Sequence, residues 1–137
     1  MKIKFLVADE IRMEASGKQT VLGLFADDVV CVNVGHRPES VPVDVPAGIE
    51  RLALLVNMAE LTVGKHQFFG QLFAPNDVAY GDRFSLGEAD VSQGQSHTLV
   101  AEWKPFLLRG SGFYTFAVWV DDTEHRLQFE VRITEAP

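Results

Sequence analysis

The residue types best suited to chemistry in this sequence are acidic side chains that lie in predicted turns. Asp27 and Asp28 follow one apolar segment, and Asp121, Asp122 and Glu124 separate two others. Calcium prefers clustered oxygen ligands, so loops of this kind are candidate ligands at one end of a sheet. Acidic residues are also common in turns, because they solvate well and hydrogen-bond their own backbone. The pattern favours solvated turns, and a calcium site remains the alternative.

Other patterns that would carry chemistry are incomplete. Gly17-Lys18 lacks the upstream glycine of a phosphate-binding loop, because Arg12 occupies that position. No Gly-x-Ser-x-Gly motif is present, and the spacing of Cys31 and His36 is not that of zinc ligands. We therefore expect a protein that is not an enzyme and holds no cofactor. A small hydrolase is supported only at the level of fold, which is a weak argument.

Asp9 is an acidic residue on an otherwise apolar row. It has the same parity as Phe5, Val7 and Ile11 in a segment that alternates like a strand. A carboxylate facing a core is costly unless it is hydrogen-bonded or a bulge rotates it outward. We predict a structural carboxylate that caps backbone N–H groups of a turn or pairs with Lys18. Ligand contact and exposure at a bulge remain open.

The single cysteine, Cys31, lies in the run Val29–Val32. One thiol cannot form a disulfide within the chain. Its apolar neighbours predict a buried thiol that behaves as a small hydrophobic side chain.

Length and charge limit the classes of protein to consider. The chain has 137 residues and a net charge of −7. This length fits one domain, expected to span residues 1–137. Nucleic-acid binding needs a basic surface, so the acidic balance predicts no nucleic-acid partner. The apolar stretch Phe5 to Ala8 is too short for a signal peptide, and no run approaches a membrane helix. We expect a cytoplasmic protein without membrane contact.

Period-two alternation of apolar and polar residues is the dominant structural signal. It is clearest over 114–120 and 127–133, which a short polar turn joins as a hairpin. The segment 49–61 fits a strand or a short helix, and a strand is favoured. Three prolines within 36–48 indicate a crossing loop or a protected edge strand. About eight such strands predict an all-β fold, an antiparallel β-sandwich.

Aromatic residues on the outward parity are candidates for an interface. Opposite the predicted core row of the strand 113–120 lie Phe113 and Trp119, and Phe69 and Phe73 likewise fall opposite an apolar row. Contiguous exposed aromatic residues often mark a contact surface. The alternative is that the proline-rich segment 36–48 covers this face within the monomer. We predict that Trp119 lies in an interface with a second copy or another protein.

Segments near both ends of the chain resemble known families. Ala8–Glu10, Gly17-Lys18 and Leu22–Phe25 resemble the start of an uncharacterised bacterial family of all-β sandwich proteins. Gly112–Val118 resembles the penultimate strand of immunoglobulin-like sandwiches, in which a Gly-x-Tyr pattern places the tyrosine at a sheet corner. Leu127–Ile133 fits the last strand of the same scheme. The resemblance implies an immunoglobulin-like fold, and it implies no activity, substrate or catalytic residue.

Taken together, these features predict a binding or assembly module without catalytic activity. Its partner would be another protein or a second copy of the chain. The alternative is a calcium-dependent sandwich that binds a ligand or a surface through its acidic loops.

Overall fold

A computed structural model describes residues 1–16, 18–33 and 48–134. These residues form eleven strands and two three-residue 3-10 turns, so the protein is all-β. Within these ranges no helix is long and apolar enough to cross a membrane. The strands are β1 (Lys2–Met13), β2 (Gln19–Leu24), β3 (Val29–Asn33), β4 (Gly48–Ile49), β5 (Leu52–Ala59), β6 (Gly64–Ala74), β7 (Val78–Val91), β8 (His97–Trp103), β9 (Phe106–Leu107), β10 (Gly112–Val120) and β11 (Thr123–Thr134).

The strands are arranged in two large sheets and one small one. The four-stranded sheet has the order β2-β1-β5-β8, the five-stranded sheet β3-β11-β10-β6-β7, and β4 pairs with β9. The predicted strand within 49–61 is confirmed as β5, and the helical alternative is wrong. Purely antiparallel sheets were also expected, but β3 runs parallel to β11 with Val29 opposite Glu130. The five-stranded sheet is therefore mixed.

The hydrophobic core lies between the two large sheets. Alternation directs one row of each strand inward, as the sequence predicts for Tyr114, Phe116, Val118 and Val120, all of which are buried. Aromatic rings from opposite sheets contact each other across the core. The pairs are Phe5 with Phe129 at 6.4 Å, Phe68 with His97 at 4.9 Å and Trp103 with Phe116 at 5.7 Å between ring centroids. These contacts hold the sheets face to face in a sandwich-like arrangement.

Tyr114 is fully buried, and its hydroxyl both accepts and donates a hydrogen bond. Its hydroxyl accepts a hydrogen bond from the Arg109 N–H at 2.8 Å and donates one to the Gly110 carbonyl at 2.9 Å. Burial is the main cause of the raised pKa of Tyr114. The two bonds tie the segment before β10 to the start of that strand.

Candidate functional site

The acidic turns do not come together. Asp27 and Asp28 precede β3, which begins opposite Glu130, near the middle of β11. Asp121 and Asp122 precede β11, which begins seven positions before Glu130, so the two acidic turns are roughly 24 Å apart at about 3.4 Å per residue. Within residues 1–16, 18–33 and 48–134, no three His, Cys, Asp or Glu side chains are placed to hold a metal ion. The calcium alternative therefore has no support from the described part of the chain.

One of these acidic residues, Asp121, is hydrogen-bonded to His66 and to the backbone of Gln67, and we call this group of residues the clasp. The Asp121 carboxylate accepts a hydrogen bond from the Gln67 backbone N–H at 2.9 Å and another from Nδ1 of His66 at 2.7 Å. The Asp121 N–H in turn donates to the Gln67 carbonyl at 2.8 Å. Nε2 of His66 lies 2.7 Å from the Thr62 carbonyl. The clasp joins the start of β6 to the turn between β10 and β11.

The clasp favours a charged histidine. A carbonyl and a carboxylate offer only lone pairs, so both contacts are hydrogen bonds when both ring nitrogens of His66 donate, as in the imidazolium form. The Thr62 carbonyl, followed by Asp121, raises the pKa of His66. The Gln67 N–H, followed by His66, lowers the pKa of Asp121. Sequence analysis missed His66, although it shares the inward row of β6 with Phe68.

Asp9 and Cys31 differ from the sequence-based expectations. Cys31 was predicted to be buried but is exposed, because Val30 takes the inward position on β3 and Cys31 the outward one. Asp9 is also exposed, and its side chain lies against Gly23, where any Cβ would overlap the carboxylate. No bond from Asp9 to Lys18 or to a backbone N–H is formed within the described ranges. Both residues line a cleft of about 750 Å³.

The four aromatic interface candidates all lie on the outer surface of the five-stranded sheet. Trp119 on β10 is directly opposite Phe69 on β6, and Phe73 is opposite Thr115 in the same pair of strands. Phe113 is 60% exposed, whereas the other three aromatic side chains are half-buried. We call this surface, formed by β11, β10, β6 and β7, the aromatic face. The structure thus brings together residues that are up to fifty positions apart, and their role remains a prediction.

Arg83 completes the aromatic face from β7. Its guanidinium carbon lies 4.5 Å from the centroid of the Phe69 ring and 4.3 Å from that of Trp119. Both distances are within the range of cation–π attraction. Arg83 is exposed, and none of its N–H groups bonds to an acceptor in the part of the chain that the structure describes. Sequence analysis missed Arg83, because register shifts between β6 and β7 decide where it reaches.

A second arginine on this face is paired. The guanidinium carbon of Arg126 lies 5.3 Å from the centroid of the Phe73 ring. Its nitrogens contact Glu124 at 2.7 Å and Asp77 at 3.4 Å. Glu124, a weak candidate for calcium, is therefore an ion-pair partner at the margin of the aromatic face. The predicted covering segment 36–48 lies, apart from Gly48, outside the described residues.

No protein-family model and no curated protein matches this chain. One solved structure that resembles it is the Pseudomonas fluorescens alkylpurine DNA glycosylase AlkC bound to DNA containing an abasic site analog. The likeness has a TM-score of 0.49 at 12% sequence identity, and it covers 78% of this chain but only 28% of the glycosylase chain.

This match corrects two sequence-based predictions. We expected a protein that is not an enzyme and that has no nucleic-acid partner, yet the similar structure is an enzyme in complex with DNA. Neither exclusion is kept. The likeness is too low to transfer an activity, so it assigns this chain neither glycosylase chemistry nor a DNA site.

Proposed function

We propose that this protein is a binding or assembly module that contacts a protein partner through its aromatic face. The observation that supports the proposal most is the arginine held against two aromatic rings. Arg83 lies on Phe69 and Trp119 with donors that face solvent. Tryptophan and arginine are the residue types most enriched at the centres of protein interfaces.

The rest of the aromatic face supports the same role. Thr115 and Ala117, on the outer side of β10, are buried beneath their larger neighbours, so the surface has a closely packed floor. Phe113 extends the apolar area toward the end of β10 and is 60% exposed. An aromatic patch with polar residues at its margin is typical of a contact surface.

We also propose that the sandwich is immunoglobulin-like. The sheet order β11-β10-β6-β7 is the order of a G-F-C sheet extended by a C′ strand. Tyr114 lies near the start of the penultimate strand, and its hydroxyl bonds back to Arg109 and Gly110. That geometry is similar to the tyrosine corner of immunoglobulin-like domains and supports this proposal.

Site-specific photo-cross-linking in cells that produce the protein tests the binding role. A photoreactive phenylalanine analogue replaces Phe113 on the aromatic face, and the matched control replaces Met13, which is 67% exposed on β1 of the other sheet. We expect irradiation to give a covalent protein adduct from position 113 and none from position 13. Adding Trp119→Ala to the first variant should reduce the yield of adduct severalfold.

Two results would overturn the proposal. One is the absence of any adduct from position 113, and the other is equal yield from both positions. A thermal melt of each variant establishes that the labelled proteins are folded.

A further inference from the structure

We propose that the cleft beside Asp9 binds a small organic cation, an ammonium ion with an apolar body. The Asp9 carboxylate would hold the ammonium group, and the apolar body would lie against the hydrophobic side chains of the cleft. This inference goes beyond the proposed function, because it makes no use of the aromatic face. It follows from the lining of the cleft and from the distribution of charge along its walls.

The cleft has a size and a lining that suit a small ligand. Its volume is about 750 Å³, and its lining includes residues of β2 and β3, which are edge strands in the order of their sheets. Phe25, Val32 and Ile49 also line it, and all three are half-buried against the main hydrophobic core. Small-molecule sites commonly measure about 300–1,000 Å³ and combine apolar walls with a few polar groups.

Gly23 makes room for the carboxylate of Asp9. The pairing of Glu10 with Leu22 places Gly23 opposite Asp9 on the neighbouring strand. Any Cβ on Gly23 would overlap the Asp9 carboxylate, and the φ of 65° at this position is one that glycine adopts without strain. Within residues 1–16, 18–33 and 48–134, Asp9 accepts no hydrogen bond and forms no ion pair. Its oxygens are therefore available to a donor that enters the cleft.

The positive charges that line the cleft are already paired. Nε of Arg12 lies 3.0 Å from Oε1 of Glu10, and a terminal nitrogen of Arg51 lies 2.7 Å from the same oxygen. Glu50 also lines the cleft, is exposed, and forms no ion pair in the part of the chain that the structure describes. An entering ligand therefore meets two unpaired carboxylates, those of Asp9 and Glu50. They attract a cation and repel an anion, and an ammonium group forms charge-assisted hydrogen bonds to a carboxylate.

Cys31 provides a reporter of whether the cleft is occupied. Its thiol is the only one in the chain, is exposed, and lines the cleft. The uncharged disulfide 4,4′-dithiodipyridine reacts with a thiolate to give a mixed disulfide and pyridine-4-thione, whose absorbance measures the rate. A ligand that fills the cleft should slow this reaction.

The test compares phenyl compounds of similar size and different charge on the full chain. We expect 2-phenylethylammonium to slow the reaction of Cys31 at least threefold at saturation, with half of the effect at about 1 mM. The neutral 2-phenylethanol and the anionic 3-phenylpropionate should need at least fivefold higher concentrations, because neither offers an ammonium group to Asp9. Nα-acetyl-lysine methylamide presents the ammonium of a protein side chain without an aromatic body, and it should also bind at least fivefold more weakly.

Asp9→Asn tests the carboxylate, because it keeps the size of the side chain and removes its charge. This variant should need at least fivefold more 2-phenylethylammonium for the same protection of Cys31. Asp122→Asn is the matched control, since Asp122 is exposed outside the cleft and the substitution changes the net charge equally. It should be protected like the wild type. Thermal melts establish that both variants are folded, and should Asp9→Asn unfold, the comparison of compounds on the wild type still decides the question.

Several results would overturn the proposal. A Cys31 that does not react in the native protein would show that the cleft is closed. Equal protection by the three phenyl compounds would show that it does not select charge. Unchanged protection in Asp9→Asn, or an equal loss in Asp122→Asn, would remove the role of Asp9. Equally tight binding of the lysine derivative would assign the cleft to a side chain of another protein instead of a small ligand.

Discussion

The outer faces of the two sheets differ in whether their central arginine has a carboxylate partner. On the four-stranded sheet, the carboxylate of Glu10 contacts Arg12 at 3.0 Å and Arg51 at 2.7 Å, and Arg51 lies 3.9 Å from Glu102. We call this surface the ion-pair face. On the same sheet, the fully buried residues Ala8 and Ala53 pack with Ile11 and Leu55 in a small apolar cluster. The charges satisfy one another within the chain.

On the aromatic face, by contrast, an arginine is fixed in place without an acceptor. Arg83 contacts Phe69 and Trp119, and no carboxylate lies within ion-pair distance in the described residues. The difference supports the proposed binding role of the aromatic face. The charges of the ion-pair face are paired with one another. The guanidinium of Arg83 on the aromatic face, by contrast, has N–H donors available for an acceptor on another molecule.

The largest effect should come from the apolar cluster of the ion-pair face. Leu55 is 7% exposed and packs with Ala8, Ile11 and Ala53. Leu55→Ala removes buried methyl groups and should lower the free energy of unfolding by about 2–3 kcal/mol, at the lower end of such substitutions. Urea denaturation measures the change.

Phe113→Ala is the matched variant on the aromatic face. Phe113 is 60% exposed, so its loss should change the free energy of unfolding by no more than about 0.5 kcal/mol. It should weaken association instead. If Phe113→Ala lowered the free energy of unfolding as much as Leu55→Ala, the contrast between the ion-pair face and the aromatic face would be wrong.

An intermediate effect on the stability of the fold should come from the clasp at the end of the aromatic face. The pKa of His66 is raised in the folded state, so its stabilisation is complete below the unfolded value near 6.5 and is lost as pH rises through the folded pKa. The pKa of Asp121 is lowered, so its stabilisation is complete above about 3.9 and is lost as pH falls through its folded pKa. The clasp contributes most between these limits.

Asp121→Asn isolates this contribution. An asparagine oxygen still accepts from the Gln67 N–H, and its amide nitrogen donates to a neutral His66, which keeps its bond to Thr62. We expect the wild-type melting temperature to fall by a few degrees as pH rises from 6.5 to the alkaline range, with a flatter profile for the variant. Parallel profiles would show that His66 is not charged in the folded protein.

The smallest effect on stability should come from the ion pairs that Glu10 forms with Arg12 and Arg51. The hydrogen bond from Arg12, followed by the charges of Arg12 and Arg51, lowers the pKa of Glu10. Its stabilisation is therefore present above the unfolded value near 4.3 and is lost as pH falls through the folded pKa. Glu10→Gln should lower the melting temperature by only a degree or two at neutral pH, and molar salt should abolish the difference. An effect that persists in salt would indicate packing.

Much of the fold follows from local pattern. Alternation over 114–120 and 127–133 predicts both the last hairpin and its inward row, and the strand at 52–59 is confirmed within the ambiguous segment. The same alternation places Phe113 and Trp119 on the outward side. These predictions succeed because successive side chains of a strand point to opposite faces whatever its neighbours are.

Which residues meet at the candidate site depends on the pairing of strands, which no local sequence pattern predicts. Arg83 meets Phe69 and Trp119 only through the register of β6 with β7 and β10, which includes shifts between β6 and β7. His66 and Asp121 are brought together from opposite ends of two hairpins.

The sequence by itself determined which residues can form strands and which side of each strand is apolar, because alternation is a property of the single strand. Only the tertiary structure decided that Cys31 is exposed, that β3 runs parallel to β11, and that Arg83 lies on Trp119. The reason is physical. Neighbours, register and edge positions are set by hydrogen bonds and packing between segments distant in the chain, and changing them does not alter the alternation.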